Sequence, residues 1–289
     1  MSPRIPNLFI VGAMKSGTTS LHNYLAAHPD IFMSSLKEPQ YFSGLSRPQQ
    51  PMVSKTEQDY LDLFKEAKNE KFVGESSTDY SKIPEFPGVP ARIAAFSPEA
   101  RIIYIMRDPV ERALSHYWER VKQYLEGRDL LTTIRNEPEI VAVGHYALQL
   151  KPYLNLFGPD RVYTLTLEAL IADQESTLRA LFEWLGVDPN FVVTDSGQYN
   201  PGQEQVSRFI GAPLVALLRQ TPFWRLITAA IPPIAKRQLR KLTKPVPRTM
   251  DQADEAIEYL RPILLEQTEE LCLLLNRQFP EWKTLYGRS

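Results

Sequence analysis

Three short stretches hold the residues best suited to chemistry. In the first, Gly12 to Ser20, Lys15 stands inside a small-residue loop, and Thr18, Thr19 and Ser20 follow the second glycine, Gly17. A glycine turn running into a helix start aims backbone N–H groups and partial positive charge at one point. Lys15 adds a full charge and the hydroxyls add donors, so the stretch predicts an anion site. In the second, Lys37-Glu38-Pro39-Gln40-Tyr41-Phe42, a carboxylate sits between a lysine and two aromatics. That pattern suits either a general base on an anchored loop or a surface ion pair of Lys37 with Glu38. In the third, an apolar run ends in Arg107 and continues through Asp108, Pro109, Glu111, Ser115 and His116. Arg107 is a second anion-binding candidate, or else the partner of Asp108 or Glu111.

The elements that must position these groups can be read from hydrophobic pattern. Leu8 to Val11 and Ile102 to Met106 are continuous apolar runs, the mark of buried strands, and Phe72 to Ser77 and Arg161 to Leu167 are two further strands. Helices are predicted from Thr18, over Val89–Phe96, from Pro109 to about Leu125, over 144–157, over 168–185 and over 251–278. Strands alternating with helices imply a parallel sheet covered on both faces, an α/β three-layer sandwich. Such sheets bind ligands at the carboxyl ends of their strands, where Lys15, Ser76 and Arg107 all fall. Residues 206–240 combine apolar clusters with Lys236, Arg237 and Arg240, and four prolines between 213 and 233 divide them into short helices. They read as a solvated helical cover, with peripheral membrane or partner docking through 206–244 as the alternative.

Composition narrows the class. The chain has 289 residues, a net charge of −1 and one cysteine. The charge gives no case for nucleic acid. Cys272 alone cannot form an intrachain disulfide and reads as a small buried apolar residue. No basic-then-apolar leader and no apolar run of ~18 residues is present, so a cytoplasmic protein without a membrane span is expected.

The glycine loop differs from the G-x-x-x-x-G-K-[ST] loop of nucleoside triphosphatases, because its lysine lies before the second glycine. With Arg107 at the end of 101–106 in place of a lone metal-binding aspartate, a site using lysine and arginine requires no metal. The three motifs together resemble those of sulfotransferases that use 3′-phosphoadenosine 5′-phosphosulfate. Lys15-Ser16-Gly17-Thr18-Thr19 resembles their 5′-phosphosulfate loop, Arg107 to Tyr117 their 3′-phosphate motif, and 37–42 the loop carrying the catalytic glutamate in the heparan-sulfate-type branch. The resemblance spans residues ~7 to 200, in the same order.

It implies a P-loop-containing nucleotide-binding fold. The chain would be a single domain over 1–289, with an α/β core at 7–205 and a helical C-terminal cover at 206–289. It implies Glu38 as general base and Lys15 as the stabiliser of the leaving phosphate. The cofactor would be held by Lys15, Ser16, Gly17, Thr18, Thr19, Arg107 and Ser115, with Arg208 from the closing loop; Asn200 and Gly202 are weaker members of that set, and Tyr199 reads as a buried tyrosine, with stacking on adenine as the alternative. The acceptor would offer a hydroxyl, or less readily an amine, on a sugar, lipid, acyl chain or small molecule; the apolar 209–231 segment points to a lipid-like one. The chain departs from some relatives in having Ser76 where they carry lysine, and in placing its helix histidine at His116, near Glu119. Neither of those two is assigned as a second acid or base. The alternatives are a kinase-like transferase and a nucleotide-binding module without catalysis. Oligomeric state is not legible.

Overall fold

The computed structural model describes residues 4–44, 56–122, 129–193, 205–209, 243–247 and 253–288. The predicted sheet is present and fully parallel. It is formed by β1 (Leu8–Gly12), β2 (Ile31–Met33), β3 (Phe72–Ser76), β4 (Arg101–Met106) and β5 (Val162–Thr166), in the order β2-β3-β1-β4-β5. The connecting helices are α1 (Thr18–Ala26), α2 (Tyr41–Gly44), α3 (Glu57–Leu61), α4 (Val89–Phe96), α5 (Pro109–Lys122), α6 (Leu130–Asn136), α7 (Pro138–Ala142), α8 (Tyr146–Phe157), α9 (Leu167–Ala172) and α10 (Gln174–Leu185).

Period-two alternation along buried strands feeds two cores. Phe9, Val11, Ile102, Tyr104 and Met106 point to the face covered by α4, α5, α8 and the C-terminal helix Ala253–Leu275. Leu8, Ile10, Ile103, Ile105 and Leu165 point to the other face, covered by α1 and α10. The result is the three-layer α/β arrangement expected. β1 sits at the centre, with β3 on one side and β4 on the other, so the loops leaving these three strands open at neighbouring positions.

Some boundaries differ from expectation. The helix expected over 168–185 is two helices, because the Asp173 side chain accepts from Ser176 N (3.0 Å) and starts a new one. Tyr41–Gly44, read as loop, is a helical turn. Cys272 is half-buried rather than buried. The cover over 206–289 is not wholly helical: Gln205–Phe209 (β6) and Thr243–Pro247 (β7) form a two-stranded antiparallel sheet, with Arg208 opposite Lys244. Residues 45–55, 194–204 and 210–242 lie outside the described residues, and with them Tyr199, Asn200, Gly202 and most of the 206–244 docking candidate. No helix among the described residues is long and apolar enough to cross a membrane.

Candidate active site

The glycine loop leaves β1 through a crowded point. A side chain at Gly12 would come within 2.0 Å of Ser81 Oγ and 2.8 Å of the Tyr104 ring, so only glycine fits. The loop is fixed by Ala13 N donating to Ile105 O (2.7 Å) and Ser16 N to Ala13 O (3.2 Å). Lys15 and Gly17 both take left-handed backbone, at φ 71° and 89°. Gly17 is the N-cap of α1 and has no side chain to accept from the first-turn N–H groups. Ser16 and Thr18 are buried beneath the loop, while Lys15 reaches outward, its Nζ 3.2 Å from Glu119 Oε2.

The loop carrying Glu38 is bound to the end of β3. Glu38 N donates to Ser76 O (2.9 Å), and Gln40 N donates to Ser77 Oγ (3.1 Å). Tyr41 stacks on Tyr60 at 4.5 Å and Phe42 packs among Phe9, Tyr60 and Tyr80, so the aromatics anchor the loop as expected. The Glu38 carboxylate itself accepts from Thr78 N (2.7 Å) and Thr78 Oγ1 (3.2 Å) on one oxygen, and from Lys37 Nζ (2.5 Å) on the other. It is ion-paired, and its side chain remains 29% exposed, open to a proton donor from solvent or substrate.

Behind it lies a carboxyl group the sequence did not mark as special. Glu75, fully buried on β3, accepts from Tyr80 OH (2.6 Å), Tyr60 OH (2.9 Å) and Ser77 Oγ (2.8 Å). Burial pushes its pKa up to about 7, against the three hydroxyl bonds, which hold it down; the Glu38 charge adds to the rise. The available signal was a charged residue next to the last position of a strand that opens with Phe72, Val73 and Gly74. Ser76, at the position where some relatives carry lysine, meets the ring of His22, Nδ1 to Oγ 2.8 Å. Burial, then the Lys37 charge, lower the His22 pKa to about 4, leaving a neutral ring at neutrality.

On the other side of β1, β4 delivers Arg107. Its backbone is held by Tyr146, whose hydroxyl accepts from Arg107 N (3.3 Å) and donates to Arg107 O (2.7 Å). Its guanidinium lies 3.2 Å from Glu111 Oε2, the ion pair weighed from the sequence. Ser115 lies two turns further along α5 and is buried. Arg208 falls on β6, of which only the backbone is described. His116 is buried, with no hydrogen-bond partner for Nδ1 among the described residues. Burial, followed by the charges of Arg112, Lys82, Arg120 and Lys15, drops its pKa to about 2, so it stays neutral across the working range. Glu119 is occupied with Lys15.

The structure therefore brings two cationic side chains, Lys15 and Arg107, to the ends of adjacent strands, with an anchored carboxylate on the third. Lys15 beside the α1 start and Arg107 just before α5 form two separated cationic points, a set that suits a ligand with two separated anionic groups.

Comparison with known proteins bears on the family. The model of the family described as "Sulfotransferase family" matches residues 6–190. Mouse heparan sulfate glucosamine 3-O-sulfotransferase 3B1 is 28% identical over 212 residues, covering 68% of this chain and 50% of that protein. Mouse carbohydrate sulfotransferase 15 is 27% identical over 248 residues, covering 64% of this chain and 44% of that protein. The chain thus spans about half the length of the curated relatives it matches. A solved sulfotransferase from Alicyclobacillus acidocaldarius superposes with a TM-score of 0.69 at 27% identity, over 96% of this chain and 98% of that one.

Proposed function

The chain belongs to the sulfotransferase family, and we propose that it moves a sulfuryl group from 3′-phosphoadenosine 5′-phosphosulfate to an acceptor hydroxyl by in-line displacement. The observation that carries this reading is the placement of Glu38 and Lys15. One is a partly exposed carboxylate pinned to the end of β3, the other a cation at the end of neighbouring β1. When bound, the cofactor supplies the sulfuryl group and a phosphate that can leave. Glu38 removes the acceptor proton as the hydroxyl attacks sulfur. Lys15 turns from Glu119 to the phosphate oxygen on which negative charge develops, aided by the N–H groups of the loop. Ser16, Gly17, Thr18 and Thr19 hold the 5′-phosphate; Arg107 and Ser115 hold the 3′-phosphate, with Arg208 as a further contact. His116, buried with its pKa pushed down to about 2, is too weak a base to share in proton transfer.

The relatives named for heparan sulfate and carbohydrate make a sugar hydroxyl the first acceptor class to test, ahead of the lipid-like acceptor that residues 209–231 suggested. A cytosolic setting remains part of the same proposal.

The test has two arms. Calorimetric titration with 3′-phosphoadenosine 5′-phosphate in EDTA, with adenosine 5′-phosphate as control, should show binding that needs the 3′-phosphate and weakens in Arg107→Ala. Turnover of radiolabelled donor with heparan sulfate oligosaccharides should then be lost in Glu38→Gln while nucleotide binding persists. Binding of ATP only with magnesium would replace the reading with a kinase-like one. Nucleotide binding with equal turnover in Glu38→Gln would remove Glu38 as base.

A further inference from the structure

Glu75 has no role in the reaction as just described, although it is a carboxyl group removed from solvent beside the site. Its partners explain what it does. Ser77 Oγ donates to Glu75 Oε2 (2.8 Å) and accepts from Gln40 N (3.1 Å). Tyr80 OH donates to Glu75 Oε1 (2.6 Å) and accepts from Phe42 N (3.4 Å). Each hydroxyl has one proton, and the Glu75 carboxylate, in its ionised form, accepts a hydrogen bond from both. Their lone pairs are thereby left for the backbone of the loop that carries Glu38. That loop needs holding: Glu38 and Gln40 take left-handed backbone at φ 61° and 56°, which costs a non-glycine residue on the order of 1 kcal/mol or more each.

We propose that Glu75 is a positioning residue for Glu38. Its carboxyl group sets the direction of the Ser77 and Tyr80 hydroxyls, so that both accept from the 40–42 backbone and fix Glu38 at the end of β3. Tyr60 OH, the third donor, completes the acceptor capacity of Oε1 and keeps Glu75 from turning. Burial and then the Glu75 charge hold the Tyr80 hydroxyl in its protonated form, as the arrangement requires. The inference rests on the reading of Glu38 as the base.

The tests are Glu75→Gln, Ser77→Ala and Tyr80→Phe, with Glu38→Gln alongside. A glutamine amide presents N–H where a hydroxyl donates, so one hydroxyl must turn away from the loop. Hydrogen exchange of the 35–44 segment should speed up at least tenfold in each of the three variants, while the 13–26 segment is unchanged. With heparan sulfate oligosaccharides as acceptor, kcat should fall at least tenfold in Glu75→Gln and less in the other two. The Kd for 3′-phosphoadenosine 5′-phosphate should stay within twofold, a split that general loss of stability would not produce. If Glu75→Gln does not fold, Ser77→Ala and Tyr80→Phe decide the matter by the same exchange measurement. Unchanged exchange over 35–44 overturns the proposal, as does a wild-type kcat in all three variants when Glu38→Gln is inactive. Full activity in Glu38→Gln would instead overturn the base assignment, and exchange would still report whether Glu75 holds the loop.

Discussion

Asp108 Oδ2 accepts from the backbone N–H of Leu285 at 2.9 Å, joining the end of β4 to a turn 177 residues later. Its other oxygen accepts from Val110 N at 3.0 Å and so starts α5. Glu111 repeats the pattern one turn on, taking Thr284 Oγ1 (3.0 Å) on one oxygen and Arg107 Nη2 (3.2 Å) on the other. The C-terminal turn is thus bonded to the residues that orient Arg107. Asp108→Ala leaves a buried Leu285 N–H unpaired and removes a helix cap, a loss of roughly 2–4 kcal/mol. Urea unfolding should show that loss, and nucleotide affinity should drop with it. Unchanged affinity in a folded variant would mean that Arg107 keeps its pose without the C-terminal turn.

Gly17→Ala tests the loop. Its φ of 89° disfavours any side chain, and an added Cβ would meet Leu167 Cδ1 at 2.6 Å. The loop must shift, at a cost of about 1–3 kcal/mol, and the first turn of α1 shifts with it. The affinity for 3′-phosphoadenosine 5′-phosphate should fall at least tenfold by calorimetry. Wild-type affinity would place the 5′-phosphate elsewhere.

Lys15→Met separates binding from catalysis. Nζ is paired with Glu119 in the free protein, so ground-state binding gains little from it, and its value lies in the charge that develops during transfer. The variant should lose roughly 10²–10³-fold in kcat while nucleotide Kd changes less than tenfold. An equal loss in both would make Lys15 a binding residue only.

How much of this was legible in the sequence follows from how local each signal is. β1 and β4 are buried on both faces and so read as unbroken apolar runs, and the glycine loop and Arg107 could be placed at their ends without further information. Glu38 stood out because its anchors, Tyr41 and Phe42, follow within four residues. Glu75 did not, because its meaning depends on Tyr60, 15 residues away, and on a loop that folds back onto Ser77 and Tyr80. The Asp108–Leu285 bond joins residues 177 apart and leaves no local pattern. The 168–185 break was present in principle as Asp173 three residues before Ser176, but continuous helical periodicity hid it.

His116 should prove a bystander in catalysis. Its pKa of about 2, set by burial and four nearby cations, leaves it uncharged and a poor base near neutrality. His116→Gln should keep kcat within about threefold and leave the pH profile of kcat unchanged in shape. Loss of a limb of that profile in the variant would restore His116 as an acid or base.

Stability against pH carries opposing contributions whose signs can be worked out. Glu75 is raised by burial from 4.5 to about 7, so the folded chain binds that proton more tightly than the unfolded chain. Its contribution favours the fold below about pH 4.5 and is lost as pH rises through about 7. His22 is lowered by burial from 6.5 to about 4, so its contribution is present above about pH 6.5 and is lost as pH falls through about 4. His116, lowered further, acts in the same direction as His22. Asp108 and Glu168, both raised by burial, act in the same direction as Glu75, so the Glu75 contribution is read from the difference between wild type and Glu75→Gln. Glu75→Gln removes one contribution that favours low pH, so on going from pH 5 to 7 its stability should gain relative to wild type by on the order of 2–3 kcal/mol. Urea unfolding of both proteins at pH 5 and 7 measures the difference directly. Equal slopes would show that Glu75 does not change protonation in this range, and that the charge on its carboxyl group is the same throughout.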